Sequence, residues 1–167
     1  DAHEEPTIKR SRSHNYVAKE VKNVRENVGV TEIANFSKHE FQGPDARKFL
    51  NYVLAGRIPP PGRITLNPML TPKGKLYGDL TVACLNDNKF IVFGSGAVQE
   101  MHRRWFEKHL NNFDVIYKNK SDELHGLALS GPKSRQLMQK LVRDNISNEN
   151  FKFRDVKEMY VGGIPAI

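Results

Sequence analysis

The chain has 167 residues, with 26 Lys and Arg against 19 Asp and Glu, a net charge of +7. Apolar residues make up 38% and charged residues 27% of the sequence, which supports a packed core and excludes wholesale disorder. No apolar run reaches the roughly 18 residues a membrane-spanning helix needs, and the single Cys84 excludes an internal disulfide or a multi-cysteine zinc site.

Residues 1–14 are polar and lack periodicity, so they read as an arm. Val17, Val21 and Val24 then recur at helical spacing and predict a helix from Tyr16 to about Asn27, stopped by Val28-Gly29-Val30. Thr31 to Gln42 reads as extended. Gly43-Pro44-Asp45 opens a second helix, because Pro is preorganised for the first helical position and Asp suits its positive end. Phe49, Val53 and Leu54 give that helix its apolar face, and Gly56 is expected to close it.

Ile58-Pro59-Pro60-Pro61-Gly62 is a rigid connector into a strand at Arg63–Leu66. Residues 76–85 and 89–93 flank Asn86-Asp87-Asn88 and predict a hairpin. Gly94-Ser95-Gly96 reads as a structural turn into a third helix over about 97–110. Phe113–Tyr117 and Leu124–Leu129 are further strand candidates. Gly131-Pro132 opens a fourth helix carrying Leu137, Met138, Leu141 and Val142. Phe151–Phe153 and Met159–Val161 predict more strand, and the chain is expected to continue naturally past Ile167. Phe41-Gln42-Gly43-Pro44 and Leu129-Ser130-Gly131-Pro132 echo each other, each with Arg three residues after the Pro. Strands mixed with helices, one hairpin among them, predict an α+β fold with mostly antiparallel sheet.

Few residue patterns carry chemistry. Gly94-Ser95-Gly96 lacks the third glycine of a dinucleotide fingerprint. His102 and His109 lie two helical turns apart, too far to share one metal, so no metal site is expected. Cys84 sits within a strand and reads as a buried, inert thiol. The basic residues Lys9, Arg10, Arg12, Lys19, Lys22 and Arg25 suit anions, but Tyr16 is the single Phe, Tyr or Trp among them, too few for a stacking surface, so no nucleic-acid partner is expected. Asp79 is different. It follows the turn Thr71-Pro72-Lys73-Gly74 and heads the strand continued by Leu80, Val82 and Cys84. Acids are depleted in strands, and the apolar run predicts a carboxylate at the edge of the core, half shielded from water. Pairing with a structural Arg or Lys and action on a ligand both remain open at this point.

Residues 6–167 resemble the folate-binding part of dimethylglycine and sarcosine dehydrogenases and, more distantly, the aminomethyltransferase (T-protein) of the glycine cleavage system. The residues that carry the resemblance are Val28-Gly29-Val30, Phe41 to Ala46, Met69 to Gly74, Asp79 to Val82, Gly94 to Gly96, Trp105, Asp122 to Leu124 and Gly131 to Arg135. Met-Leu-Thr-Pro and Gly-Ser-Gly favour the dehydrogenase branch. The resemblance implies an aminomethyltransferase-like α+β domain over residues 15–167, truncated at its C-terminus, with the arm 1–14 joining a flavin domain in the same full-length chain. It implies that the flavin domain oxidises a small methylated amine. Tetrahydrofolate then captures the one-carbon unit as 5,10-methylenetetrahydrofolate, with Asp79 as the catalytic carboxylate. By the same resemblance Phe36, Leu66, Phe93 and Ser95 contact the cofactor, and FAD is expected only in the domain that this stretch lacks. The Gly-Glu-Leu-Gly-Trp-Glu run of the family's second half is absent, so this stretch alone is expected to be inactive. A mitochondrial matrix or bacterial cytoplasmic setting is implied, without membrane attachment. A stand-alone aminomethyltransferase and a non-catalytic subunit of the same fold are the alternative readings.

Overall fold

A computed structural model describes residues 8–167; the first half of the arm, residues 1–7, lies outside the described residues. The first helix, α1, spans His14–Glu26, and β1 follows at Gly29–Glu32. The extended stretch predicted over Thr31–Gln42 is broken at residues 33–35, where a turn returns the chain into β2, Phe36–Gln42. Helix α2 covers Ala46–Val53 and presents Ala46, Phe49, Leu50 and Val53 inward. It ends at Leu54, which is already extended, before Gly56 is reached.

Three long strands come next: β3 (Arg63–Leu70), β4 (Leu76–Asn86) and β5 (Lys89–Ser95). The turn between β3 and β4 is closed by the Gly74 N–H donating to the Thr71 carbonyl at 2.8 Å. Gly74 adopts φ 71°, a left-handed conformation that a side chain would strain. Gly94 and Ser95 continue β5 rather than turning, and a 3-10 segment at Gly96–Val98 leads into α3, Gln99–His109.

The remaining elements are β6 (Ile116–Asn119), β7 (Leu127–Ser130), α4 (Ser134–Gln139), β8 (Met159–Val161) and β9 (Ile164–Ala166). The strands predicted at Phe113–Tyr117 and Leu124–Leu129 thus both begin three residues later. Leu141 and Val142 fall beyond α4. Phe151–Phe153 forms no strand; this segment turns, and Asp155 alone bridges to Arg63. The Gly-Pro echo corresponds to two strand-to-helix junctions, β2 to α2 and β7 to α4.

The principal sheet is antiparallel with order β3-β4-β5-β2-β6, accompanied by two-stranded sheets β1-β7 and β8-β9. One face of the principal sheet carries Phe41, Met69, Leu80, Val82, Cys84, Phe90 and Val92, all buried with Phe49 and Leu50 of α2 and Phe106 of α3. The opposite face holds the residues considered next. Among the described residues, no helix is long and apolar enough to cross a membrane.

Candidate functional site

Register decides which side chains meet. Directly opposed residues in an antiparallel ladder share a face, and that face repeats every second residue. Leu66 opposes Thr81, Thr81 opposes Phe93, and Phe93 opposes Lys38. These four form one row across four strands. Two residues further along, Pro68 opposes Asp79 and Ser95 opposes Phe36. Asp79, Leu66, Phe93, Ser95 and Phe36 therefore share one sheet face, in two adjacent rows.

Pro68 fits the edge strand because its carbonyl points outward, accepting the Ala55 N–H at 2.8 Å. Its missing N–H costs the ladder nothing. The Pro68–Asp79 pair is thus of the non-hydrogen-bonded kind, in which side chains approach closely.

Asp79 is exposed, which corrects the expectation of a half-shielded carboxylate at the core edge. The buried positions of β4 are Leu80, Val82 and Cys84 with Ala83, whereas Asp79 falls on the face that α2 and α3 leave uncovered. Among the described residues it has no salt-bridge or hydrogen-bond partner, so it is not a structural ion pair. Leu66 is 71% and Phe36 46% exposed. Phe93 is half-buried and Ser95 exposed. The result is a shallow apolar wall with one uncompensated carboxylate, which suits a flat ring system bearing N–H groups.

Two residues of this face escaped the sequence reading. Thr81 stands between Leu66 and Phe93. Lys38 is only 3% exposed, and its Nζ donates to the Ala34 carbonyl at 2.7 Å. A lysine in a strand next to a serine gave no signal of burial.

Directly beneath lies a polar group within the core. Ser37, His39 and His102 are buried, and among the described residues Ser37 Oγ, His39 Nε2 and both nitrogens of His102 have no hydrogen-bond partner. His39 Nδ1 pairs with the Tyr117 hydroxyl at 2.8 Å. Burial, reinforced by His102 and opposed by Glu100, lowers the His39 pKa to about 4. Burial also lowers that of His102, with the Tyr77 backbone opposing, and raises that of Tyr117. Cys84 is fully buried, and burial raises its pKa against the pull of Arg47. Among the described residues no group of three His, Cys, Asp or Glu side chains is placed to hold a metal ion.

Comparison with known proteins defines the class. The family model described as the GCVT N-terminal domain matches residues 3–167, and the chain belongs to that family. Over 168 residues, 99% of this chain, it is 34% identical to human mitochondrial dimethylglycine dehydrogenase, covering 19% of that protein. It is 29% identical over 140 residues to an aminomethyltransferase from Staphylococcus epidermidis, covering 82% of this chain and 39% of that one. The fold resembles the crystal structure of glycine cleavage system aminomethyltransferase T from Bartonella henselae. That match has a TM-score of 0.72 at 19% identity and covers 86% of this chain and 39% of the other. The chain thus spans about a fifth of the human relative's length, and its architecture is the α+β fold of the aminomethyltransferases.

Proposed function

We propose that residues 15–167 are the tetrahydrofolate-binding module of an N-methyl amine dehydrogenase of the dimethylglycine or sarcosine type. Residues 1–14 would lead towards a flavin domain that binds FAD. The observation that carries this reading is the shared face: an unpaired Asp79 in company with exposed Leu66, Phe36 and Ser95 and half-buried Phe93. The residues fit the group. A reduced pterin offers a flat ring for the apolar wall and N–H donors for the carboxylate.

When bound, tetrahydrofolate supplies the nucleophilic nitrogen that takes up the one-carbon unit. The chain's residues do the rest. Leu66 and Phe93 lie against the ring and displace water from it. That exclusion lowers the local dielectric around Asp79, which is exposed without a ligand, and strengthens its hold on N–H groups. An Asp79 carboxylate oxygen orients the reacting nitrogen and accepts the proton released as that nitrogen forms its new bond. A carboxylate in this role contributes typically about 10²–10⁴-fold.

The test is Asp79→Asn in the full-length protein, with both half-reactions followed. Formation of 5,10-methylenetetrahydrofolate falls by about 10²-fold or more, while amine oxidation continues at the wild-type rate. Equal loss of both activities would contradict this division of labour.

A further inference from the structure

Lys38 shares a sheet face with Asp79 and is the one buried ammonium or guanidinium among the described residues. Its main chain is fixed on both sides. The N–H donates to Ser121 Oγ at 3.0 Å, and the carbonyl accepts the Lys120 N–H at 2.7 Å. The side chain is far less satisfied. An ammonium has three donors, and among the described residues Lys38 Nζ uses one, to the Ala34 carbonyl. No described carboxylate lies within ion-pair distance of it. Glu40 stands two residues along the same face, but the lysine chain runs the other way, toward Ala34. A buried charge without a counter-charge destabilises a fold, so the fold is not what requires this one.

Position narrows the class of partner. Lys38 opposes Phe93, in the row of Thr81 and Leu66. Reaching back toward Ala34 brings its ammonium to the β2 end of the next row, which holds Asp79, Ser95 and Phe36. β2 lies two strands from β4, a span of about 10 Å. The apolar wall thus has a carboxylate at one end and an ammonium at the other. A neutral ring carbonyl would leave the ammonium's charge uncompensated, whereas a carboxylate balances it. The turn at residues 33–35 and residues 120–121 close around the lysine, so only a small carboxylate fits there.

We infer that Lys38 is a positioning residue that anchors the carboxylate of the amino acid delivering the one-carbon unit. The inference rests on the tetrahydrofolate reading of the Asp79 face. An N-methyl amino acid oxidised to its iminium keeps its carboxylate, whereas free formaldehyde has none. As its carbon is taken up by tetrahydrofolate, the amino acid's C–N bonding pairs return to its own nitrogen. The two protons displaced in that exchange leave with the free amine, and no oxidant is consumed. Anchored at Lys38, the amino acid holds its carbon near Asp79 while capture competes with hydrolysis.

The test is a single turnover of dimethylglycine in the full-length protein, with tetrahydrofolate bound and a formaldehyde trap in solution. The ratio of captured to escaped carbon should fall at least about fivefold in Lys38→Met. Calorimetric titration should give an unchanged tetrahydrofolate affinity. The thermal midpoint should hold or rise, because methionine fills a similar space without the charge. An unchanged ratio would overturn the inference. So would a matching loss of tetrahydrofolate affinity, which would assign the ammonium to the cofactor's own carboxylates, or a lowered midpoint, which would make Lys38 structural. Wild-type protein that binds no tetrahydrofolate would remove the reading of the Asp79 face, and this inference with it.

Discussion

Ser37 opposes Gly94 across the β2–β5 ladder, one residue away from the Ser95–Phe36 pair of the candidate site. A methyl group added at Gly94 would lie 2.8 Å from Leu80 Cδ2, 3.0 Å from His102 Nδ1 and 3.1 Å from Ser37 Oγ. The absence of that one carbon allows His102 of α3 to press against the underside of the sheet.

Gly94→Ala therefore forces several packed atoms apart. Overpacking of this kind costs roughly 1–3 kcal/mol. A lowered thermal midpoint is expected, accompanied by weaker folate binding because the displaced strand carries Phe93 and Ser95. An unchanged melt would show that the close approach is not fixed.

Acid should loosen the same region. The unfolded chain takes up protons on histidine near pH 6.5, whereas folded His39 does so only near 4. Between those values the unfolded state binds more protons, so stability falls as the pH drops from about 6.5 towards 4 and then levels. His39 alone contributes about 3 kcal/mol to this loss, and His102 acts in the same direction. Thermal melts across that range check the slope. His39→Gln, which keeps an acceptor for the Tyr117 hydroxyl, should flatten it.

Phe93 supplies the centre of the apolar wall, between Thr81 and Lys38. Phe93→Ala should weaken tetrahydrofolate binding by about 1–3 kcal/mol through lost apolar contact and leave amine oxidation intact. Unchanged titration would remove Phe93 from the site.

Much of the fold is legible in the sequence because its signals are local. Helical spacing locates α1 and α2, Thr71–Gly74 marks the turn into β4, and Asn86–Asn88 marks a hairpin; that β3 runs on past Leu66 to Leu70 and pairs with β4 is learned from the structure. The alternation in β4 correctly separates Leu80, Val82 and Cys84 from Asp79. It does not disclose which of the two faces is covered, since that depends on where α2 and α3 pack. The register of β4 against β5 shifts between Cys84 and Asn86. Counting back from the turn pair Asn86–Lys89 would therefore set Thr81 against Gly94 instead of Phe93 and turn Phe93 away from the site. That irregularity has no sequence signature. Lys38 is illegible for a similar reason, since residues 33–35 and 120–121 reach it only through the fold. The positive φ at Arg154, 68°, is equally silent, because no glycine or asparagine announces it.

Leu66 offers the most direct test of the central claim. It is 71% exposed and belongs to the same face as Asp79, whereas Cys84 is fully buried with a raised pKa and should stay unreactive in the folded protein. In full-length Leu66→Cys protein, alkylation of that thiol is followed by peptide mass spectrometry with and without tetrahydrofolate. Saturating tetrahydrofolate should slow the labelling at position 66 several-fold, and adding Asp79→Asn should remove the protection at the same ligand concentration. An identical labelling rate with and without bound tetrahydrofolate would place the cofactor elsewhere and contradict the assignment.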